Sequence, residues 1–293
     1  MKLIRADKKL KLLYPQLRSR HLHEALAHQL ATTHDGKPLA KGTQISLQTP
    51  LRTDALDRHL EQLKLPVFSP DIPIVFETRH WLVIDKPAGI PSHPISLFDT
   101  ATITHWAFSR FASIAQEFTQ IQPTITPHRL DTGTSGLLIV AKNHAGYDHW
   151  RQLFNSHLVK KTYLAWSWGT PGFSKTIVND SIDRHPTDPR KRVVSANGRN
   201  ARSHIRIVKQ VGDYCQCQVT TSTGVTHQVR VHLAHIGLPL LGDRLYDPLY
   251  DQRRFCFGHH LLRATQILTS EHTYTLNDGF GLPEPLCTLQ TGR

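Results

Sequence analysis

Residues 128–136 read His-Arg-Leu-Asp-Thr-Gly-Thr-Ser-Gly, and the apolar run Leu137-Leu138-Ile139-Val140 follows at once. A short apolar run bounded by turn residues is the pattern of a buried strand. Gly133 and Gly136, on either side of Thr134 and Ser135, supply backbone freedom and allow another segment to approach closely. The stretch therefore predicts a tight turn feeding a rigid strand, with the Asp131 carboxylate displayed on the turn. That carboxylate is the first candidate for chemistry.

Three readings compete for it. Asp131 can accept hydrogen bonds from its own turn amides and do nothing else. Asp131-Thr132-Gly133 also looks like the turn of aspartic proteases, which share one proton between two facing carboxylates. A single-chain enzyme of that type needs a second Asp-Thr-Gly or Asp-Ser-Gly, and the 293 residues contain none. The third reading is a lone catalytic carboxylate, and it depends on residues further along the chain.

With 293 residues and 39% hydrophobic content, the chain is long enough for one large domain and a small one, each with its own core. Lys and Arg number 35 against 23 acids, giving a formal charge of +12 and a pI near 9.7. Such a field favours polyanions, nucleic acid first among them. Cys215, Cys217, Cys256 and Cys287 are too scattered for a disulfide framework, and a reducing cytoplasm suits them. Cys215 and Cys217 alternate with Gln216 and Gln218 and should share one face of a strand. In His23-Glu24-Ala25-Leu26-Ala27-His28 the second histidine falls one residue too far on for a metalloprotease helix. No metal is expected. The charged start Met1–Lys9 lacks a signal-peptide core, and no later run is long enough to span a membrane.

The first forty-two residues carry nine Lys or Arg against Asp7, Glu24 and Asp35. A helix is expected after Ser19, with Leu22, Ala25, Leu26 and Leu30 on one face, followed by a turn at Asp35-Gly36-Lys37-Pro38 and extended residues Gln44–Leu47. This order resembles a degenerate form of the small RNA-binding module first known from ribosomal protein S-four. Three prolines between Leu63 and Pro73 mark an extended connector. The expected domains are therefore 1–62, a linker over 63–73, and 74–293. Strands are expected at Ile74–Glu77, Trp81–Ile84 and Lys161–Trp166, and a helix over Tyr147–Leu158. A second helix, capped by Thr226, should carry Val229, Leu233 and Ile236 on one face and stop at Gly237 and Pro239. Strands and helices mix without βαβ repetition, which favours an α+β fold.

Thr223–Asp243 contains Thr226-His227-Gln228-Val229-Arg230; with His128-Arg129-Leu130-Asp131, Lys161-Thr162-Tyr163 and Asp85-Lys86-Pro87-Ala88-Gly89 it makes four ordered blocks. Together they resemble the RluA-type family of RNA pseudouridine synthases, from about Val75 to near the C-terminus. The family usually has Arg where Val225 stands and His where Arg263 stands.

The resemblance implies a mixed, mainly antiparallel sheet flanked by helices and loops. It also implies isomerisation of uridine to pseudouridine in RNA, a reaction in which the uridine leaves its stack. Asp131 would serve as nucleophile toward sugar or base, or abstract a ribose proton, with Arg230 holding it ionised. Tyr163 would stack on the flipped uracil and offer its phenolic oxygen. His128, Arg129, Leu130, Thr134, Thr226, His227 and Gln228 would contact substrate or RNA, and Leu137 and Leu138 would exclude water. An internal isomerisation calls for no cofactor. The expected partner is RNA, ribosomal large-subunit RNA ahead of transfer RNA, met by a cytoplasmic monomer; a non-catalytic RNA-binding protein on the same fold is the alternative.

Overall fold

The computed structural model describes residues 3–63, 68–120, 123–252, 258–277 and 279–282; Lys64–Val67 of the expected connector, Cys256 and Cys287 lie outside them. In chain order the elements begin with β1 (Leu3–Arg5), α1 (Ala6–Leu13), α2 (Ser19–Ala27), β2 (Thr32–Thr33), β3 (Gln44–Ser46), β4 (Leu51–Arg52) and α3 (Asp54–Leu63). Next come β5 (Ile74–Glu77), β6 (Trp81–Lys86), α4 (Ile103–Arg110), α5 (Ala112–Glu117), β7 (Ser135–Ala141), α6 (His144–Asn155), β8 (Lys160–Trp168) and β9 (Lys175–Val178). The rest are β10 (Ile182–Arg184), β11 (Arg192–Val194), β12 (Ser203–Val211), β13 (Tyr214–Thr221), α7 (Gln228–His235), β14 (Leu262–Leu268) and β15 (Thr273–Thr275). Among the described residues no helix is long and apolar enough to cross a membrane.

These elements form two compact units. The first comprises Met1–Asp71, Ser92–Ile125 and Lys142–His144. Its core is built where the apolar face of α2, Leu22, Ala25 and Leu26, meets Leu10, Leu17 and Leu56. Each fully buried leucine contributes about 1.5–3 kcal/mol. The later excursion returns to this unit through Leu97, which is fully buried in the same core and whose amide donates to the Glu24 carboxylate at 2.6 Å.

The second unit comprises Ile72–Pro91, Thr126–Ala141 and Ala145–Arg293. Its sheet runs β5-β6-β7-β14-β8-β13-β12-β9, with β15 on β14. Every pairing is antiparallel except that of β7 with β14. The apolar run after the glycine turn forms the centre of β7, where Leu137 to Ala141 are fully buried. Leu137 and Ile139 share a face with Val83 and Ile267, which packs on Trp150 of α6. Cys215 and Cys217 do lie on one face of β13, their sulfurs 3.7 Å apart.

Several helix boundaries differ from the sequence reading: α2 ends at Ala27 and α7 at His235, so Leu30 and Ile236 lie just beyond them. The helix expected to reach Leu158 stops at Asn155, because His157 turns left-handed (φ 56°) and leaves Leu158 exposed. Thr226 does not cap α7; the flanking residue is His227, itself left-handed (φ 61°), with no side-chain cap bond. The stop at Gly237 is as expected, with φ 78° and the Leu238 amide donating back to the Leu233 carbonyl at 2.8 Å.

Gly136 is the tightest point of the sheet. Its φ is 106°, and a Cβ there would lie 2.1 Å from the Ala264 carbonyl oxygen of β14. Gly136→Ala should therefore cost at least about 2 kcal/mol through strain and displaced strand pairing, read as a fall in the urea midpoint.

Candidate active site

Asp131 stands on a loop held from several sides. The Thr134 amide donates to the Asp131 carbonyl at 3.0 Å, closing the turn. The next carbonyl, that of Thr132, accepts from the Gly89 amide at 2.7 Å and from Lys86 Nζ at 3.3 Å. Lys86 is fully buried and also caps the carbonyls of Pro87 and Ile90, at 2.9 and 2.8 Å. Burial pushes its amine down to about 8, against the opposing pull of Asp131. Upstream, His128 Nε2 accepts the Ile139 amide at 3.0 Å, and burial lowers its imidazole to about 3. His128 is thus a neutral brace for the loop.

Arg230 on α7 links two carboxylates. Its Nε and one terminal nitrogen fork onto Asp243 at 2.8 Å each, and the other terminal nitrogen donates to Asp131 Oδ2 at 3.1 Å. The guanidinium also lies 5.0 Å from the centre of the Tyr246 ring. Burial opposes its charge, but the two carboxylates keep it protonated. Asp243 additionally accepts the amides of Leu245 and Tyr246, at 3.0 and 3.3 Å. Burial alone would push its carboxyl up; Arg230 overrides that and holds it low.

The same balance operates at Asp131. Burial would raise its carboxyl, while the charges of His227, Arg230 and His260 and the Arg230 hydrogen bond hold it below the usual carboxylate range. His260 is itself pushed down by burial to about 4, and burial lowers His227 as well, so at neutral pH Arg230 carries the effect. Tyr246 Oη accepts the Arg192 amide at 2.8 Å and so donates to His227 Nδ1 at 2.7 Å. That network assigns the remaining imidazole proton to Nε2, which faces Asp131 Oδ2 at 3.8 Å.

A cleft opens beside this carboxylate, lined by Leu130, Lys161, Tyr163, Thr226 and Leu262 among others. Tyr163 projects from β8, and burial, helped by the Asp131 charge, raises its phenol so that it stays protonated. Lys161 Nζ donates to the Thr223 carbonyl at 2.8 Å, and burial lowers it to about 8. Arg129 is exposed at the rim.

Asp131, Tyr163, Arg230, Arg129, Leu130, Thr134, Thr226, His227 and Gln228 all line this cleft. Gln228 is spent internally, donating to Thr221 and Ser203 and accepting from Thr223 and the Val225 amide. Thr134 Oγ1 is bonded to His260 Nε2 at 2.8 Å. Leu137 and Leu138 do not seal the cleft: they lie in the sheet interior, beyond the turn, and Leu130 and Leu262 supply the apolar wall instead. The proton-sharing arrangement of acid proteases is absent here, because the group hydrogen-bonded to Asp131 is a cation. Asp243, Tyr246 and His260 were given no role from sequence, and Lys86 entered only as part of the Asp85–Gly89 block. Asp243 closes the block that contains Arg230, but nothing in the spacing joins the two.

The family description "RNA pseudouridylate synthase" matches residues 80–235. The chain belongs to the RNA pseudouridylate synthase family. A family relative from Chlorobaculum parvum, an uncharacterized RNA pseudouridine synthase, is 34% identical over 74% of this chain and 69% of its own length. A ribosomal large subunit pseudouridine synthase D from Nitrosomonas europaea is 37% identical over 59% of this chain, and an uncharacterized RNA pseudouridine synthase from Chloroflexus aurantiacus 35% over 60%. The chain spans 49% and 56% of these two relatives' lengths. The fold is shared with the human RNA Pseudouridylate Synthase Domain Containing 1, at TM-score 0.58 and 24% identity over 73% of this chain and 84% of that one.

Within the pseudouridylate synthase fold both departures of this chain have local partners. Val225 packs against the buried cluster of Ile182, Ala201 and Val231. Arg263 forks onto Asp85 at 3.1 and 2.7 Å.

Removing Asp243's charge should be costly. Asp243→Asn leaves a buried guanidinium short of a counter-ion, a loss of about 3 kcal/mol, measurable by urea unfolding. His260 also predicts an acid sensitivity. Its folded value, about 4, lies below the ordinary 6.5, so its contribution is complete above pH 6.5 and is lost as pH falls toward 4, by up to about 3 kcal/mol. His260→Gln should flatten the stability-pH curve over that window.

Proposed function

We propose that the chain isomerises uridine to pseudouridine in RNA, with Asp131 as the catalytic carboxylate. The observation that carries this reading is the Arg230 bridge, which keeps a largely enclosed Asp131 ionised at the edge of a cleft that also contains Tyr163. A nucleophile and a ribose-proton base must both be anionic, so each mechanistic role for Asp131 requires this charge.

Tyr163 supplies an aromatic face and, being protonated, an O–H donor rather than a phenolate. Stacking on an extruded base contributes about 1–3 kcal/mol, comparable to the few kcal/mol that extrusion costs. Arg129 at the rim is suited to a phosphate or to the space the uridine leaves. A non-catalytic RNA-binding protein would not need a buried cation dedicated to ionising a cleft carboxylate, which favours the enzyme reading.

The substrate we propose is large-subunit ribosomal RNA. Support comes from the relatives named ribosomal large subunit pseudouridine synthase D and from the +12 formal charge. The N-terminal residues, rich in Lys and Arg, are assigned RNA contact in the manner of the S-four module. The enzyme acts as a monomer in the cytoplasm without metal or cofactor in the reaction.

Asp131→Asn should lower tritium release from ribosomal RNA labelled at uracil C5 by at least about a thousandfold while leaving RNA binding within a few-fold of wild type. Equal release by the two proteins would overturn the assignment of Asp131. Release from transfer RNA alone would overturn the ribosomal substrate.

A further inference from the structure

In the second unit, beyond the residues assigned to the reaction, a group of metal-ligand side chains comes together. His149 of α6 and Glu271 and His272 of the turn between β14 and β15 each offer one ligand atom, and these atoms lie within 4.8 Å of one another. Nitrogen and oxygen ligands at tetrahedral zinc stand about 3.3 Å apart, given bonds of about 2.0–2.1 Å. Small side-chain rotations would close the set.

The surroundings favour a bound ion over a chance cluster. His149 Nε2 is shielded from solvent and has no hydrogen-bond partner among the described residues, a costly condition for a polar atom. The imidazole is held by aromatic rings: Trp81 stacks on it at 5.5 Å and 11°, and Trp150 meets it edge-on at 5.8 Å. His272 stacks on Tyr274 at 5.9 Å and 16°, and the Tyr274 hydroxyl is bonded to Trp81 Nε1 at 3.1 Å. The turn carrying the other two ligands is fixed as well, since Thr269 Oγ1 accepts the amides of Glu271 and His272 at 3.2 and 2.8 Å. Preorganised rings reduce the ordering cost of coordination.

We propose that His149, Glu271 and His272 form a divalent transition-metal site, zinc by preference, with water completing the coordination. Two imidazoles and one carboxylate suit zinc and exclude hard cations such as magnesium, which take all-oxygen sets. The ion clips α6 to the β14–β15 turn. Trp150 and Tyr274, which flank it, belong to the core that also contains Leu137 and Ile139 of β7, so the clip stiffens the sheet behind Asp131 without touching the reaction. Sequence spacing hid this site because His149 lies more than a hundred residues before Glu271 and His272.

The test uses the full, untagged chain stripped with chelator and titrated with Zn²⁺ by calorimetry. One equivalent should bind at micromolar or lower Kd and raise Tm by about 5 °C at saturation. His272→Gln should weaken binding at least thirtyfold and remove the Tm increase, with an unchanged far-ultraviolet spectrum verifying the fold. Glu271→Gln, at an exposed position, should weaken it about tenfold. No saturable binding by wild type, or wild-type affinity in both variants, would overturn the proposal. Tritium release is read separately and should be the same in all three proteins.

Discussion

A guanidinium shared between two carboxylates organises the cleft of the second unit. Taking Arg230 out of water costs several kcal/mol, and a single partner would recover only part of that. Asp243 takes the bidentate side, fixes the plane of the group and leaves one N–H for Asp131. One cation against two anions leaves a net negative charge, and it lies on the member with 16% side-chain exposure rather than on the fully buried one. In a strongly basic protein, this local negative charge faces the cleft.

The geometry holds only if the loop bearing Asp131 cannot drift. Lys86 caps three carbonyls, His128 braces the strand amide, and Gly136 admits the backbone of β14 at a distance no side chain would tolerate. None of these groups lines the cleft, yet together they fix the backbone on both sides of the carboxylate.

Much of this was legible in the chain. The glycine-flanked turn and the apolar run after it gave the loop and β7, and alternation gave the shared face of Cys215 and Cys217. The blocks around Asp131, Tyr163 and Arg230 pointed to residues that do line one cleft. Long-range pairings were not legible: Asp243 is thirteen residues from Arg230, and helical or strand periodicity says nothing about a fork across a loop. The resemblance implies substrate contact for Gln228, and only the bond network reveals that both ends of its amide are occupied. The early end of α6 and the uncapped start of α7 share one cause. Histidines take left-handed backbone at both points, a conformation sequence rules assign to glycine or asparagine.

The single parallel pairing, β7 with β14, has a consequence for the order of assembly. The hairpin of β5 with β6 involves residues close in the chain and can form early. β14, by contrast, begins more than a hundred residues after β7, and Arg230 and Asp243 are also made late. Contacts of such sequence separation form slowly because loop closure precedes any gain from pairing. During synthesis, then, about a hundred residues follow Asp131 before the Arg230 that pairs with it is made. Asp131 therefore has no counter-ion until the last third of the chain has been made.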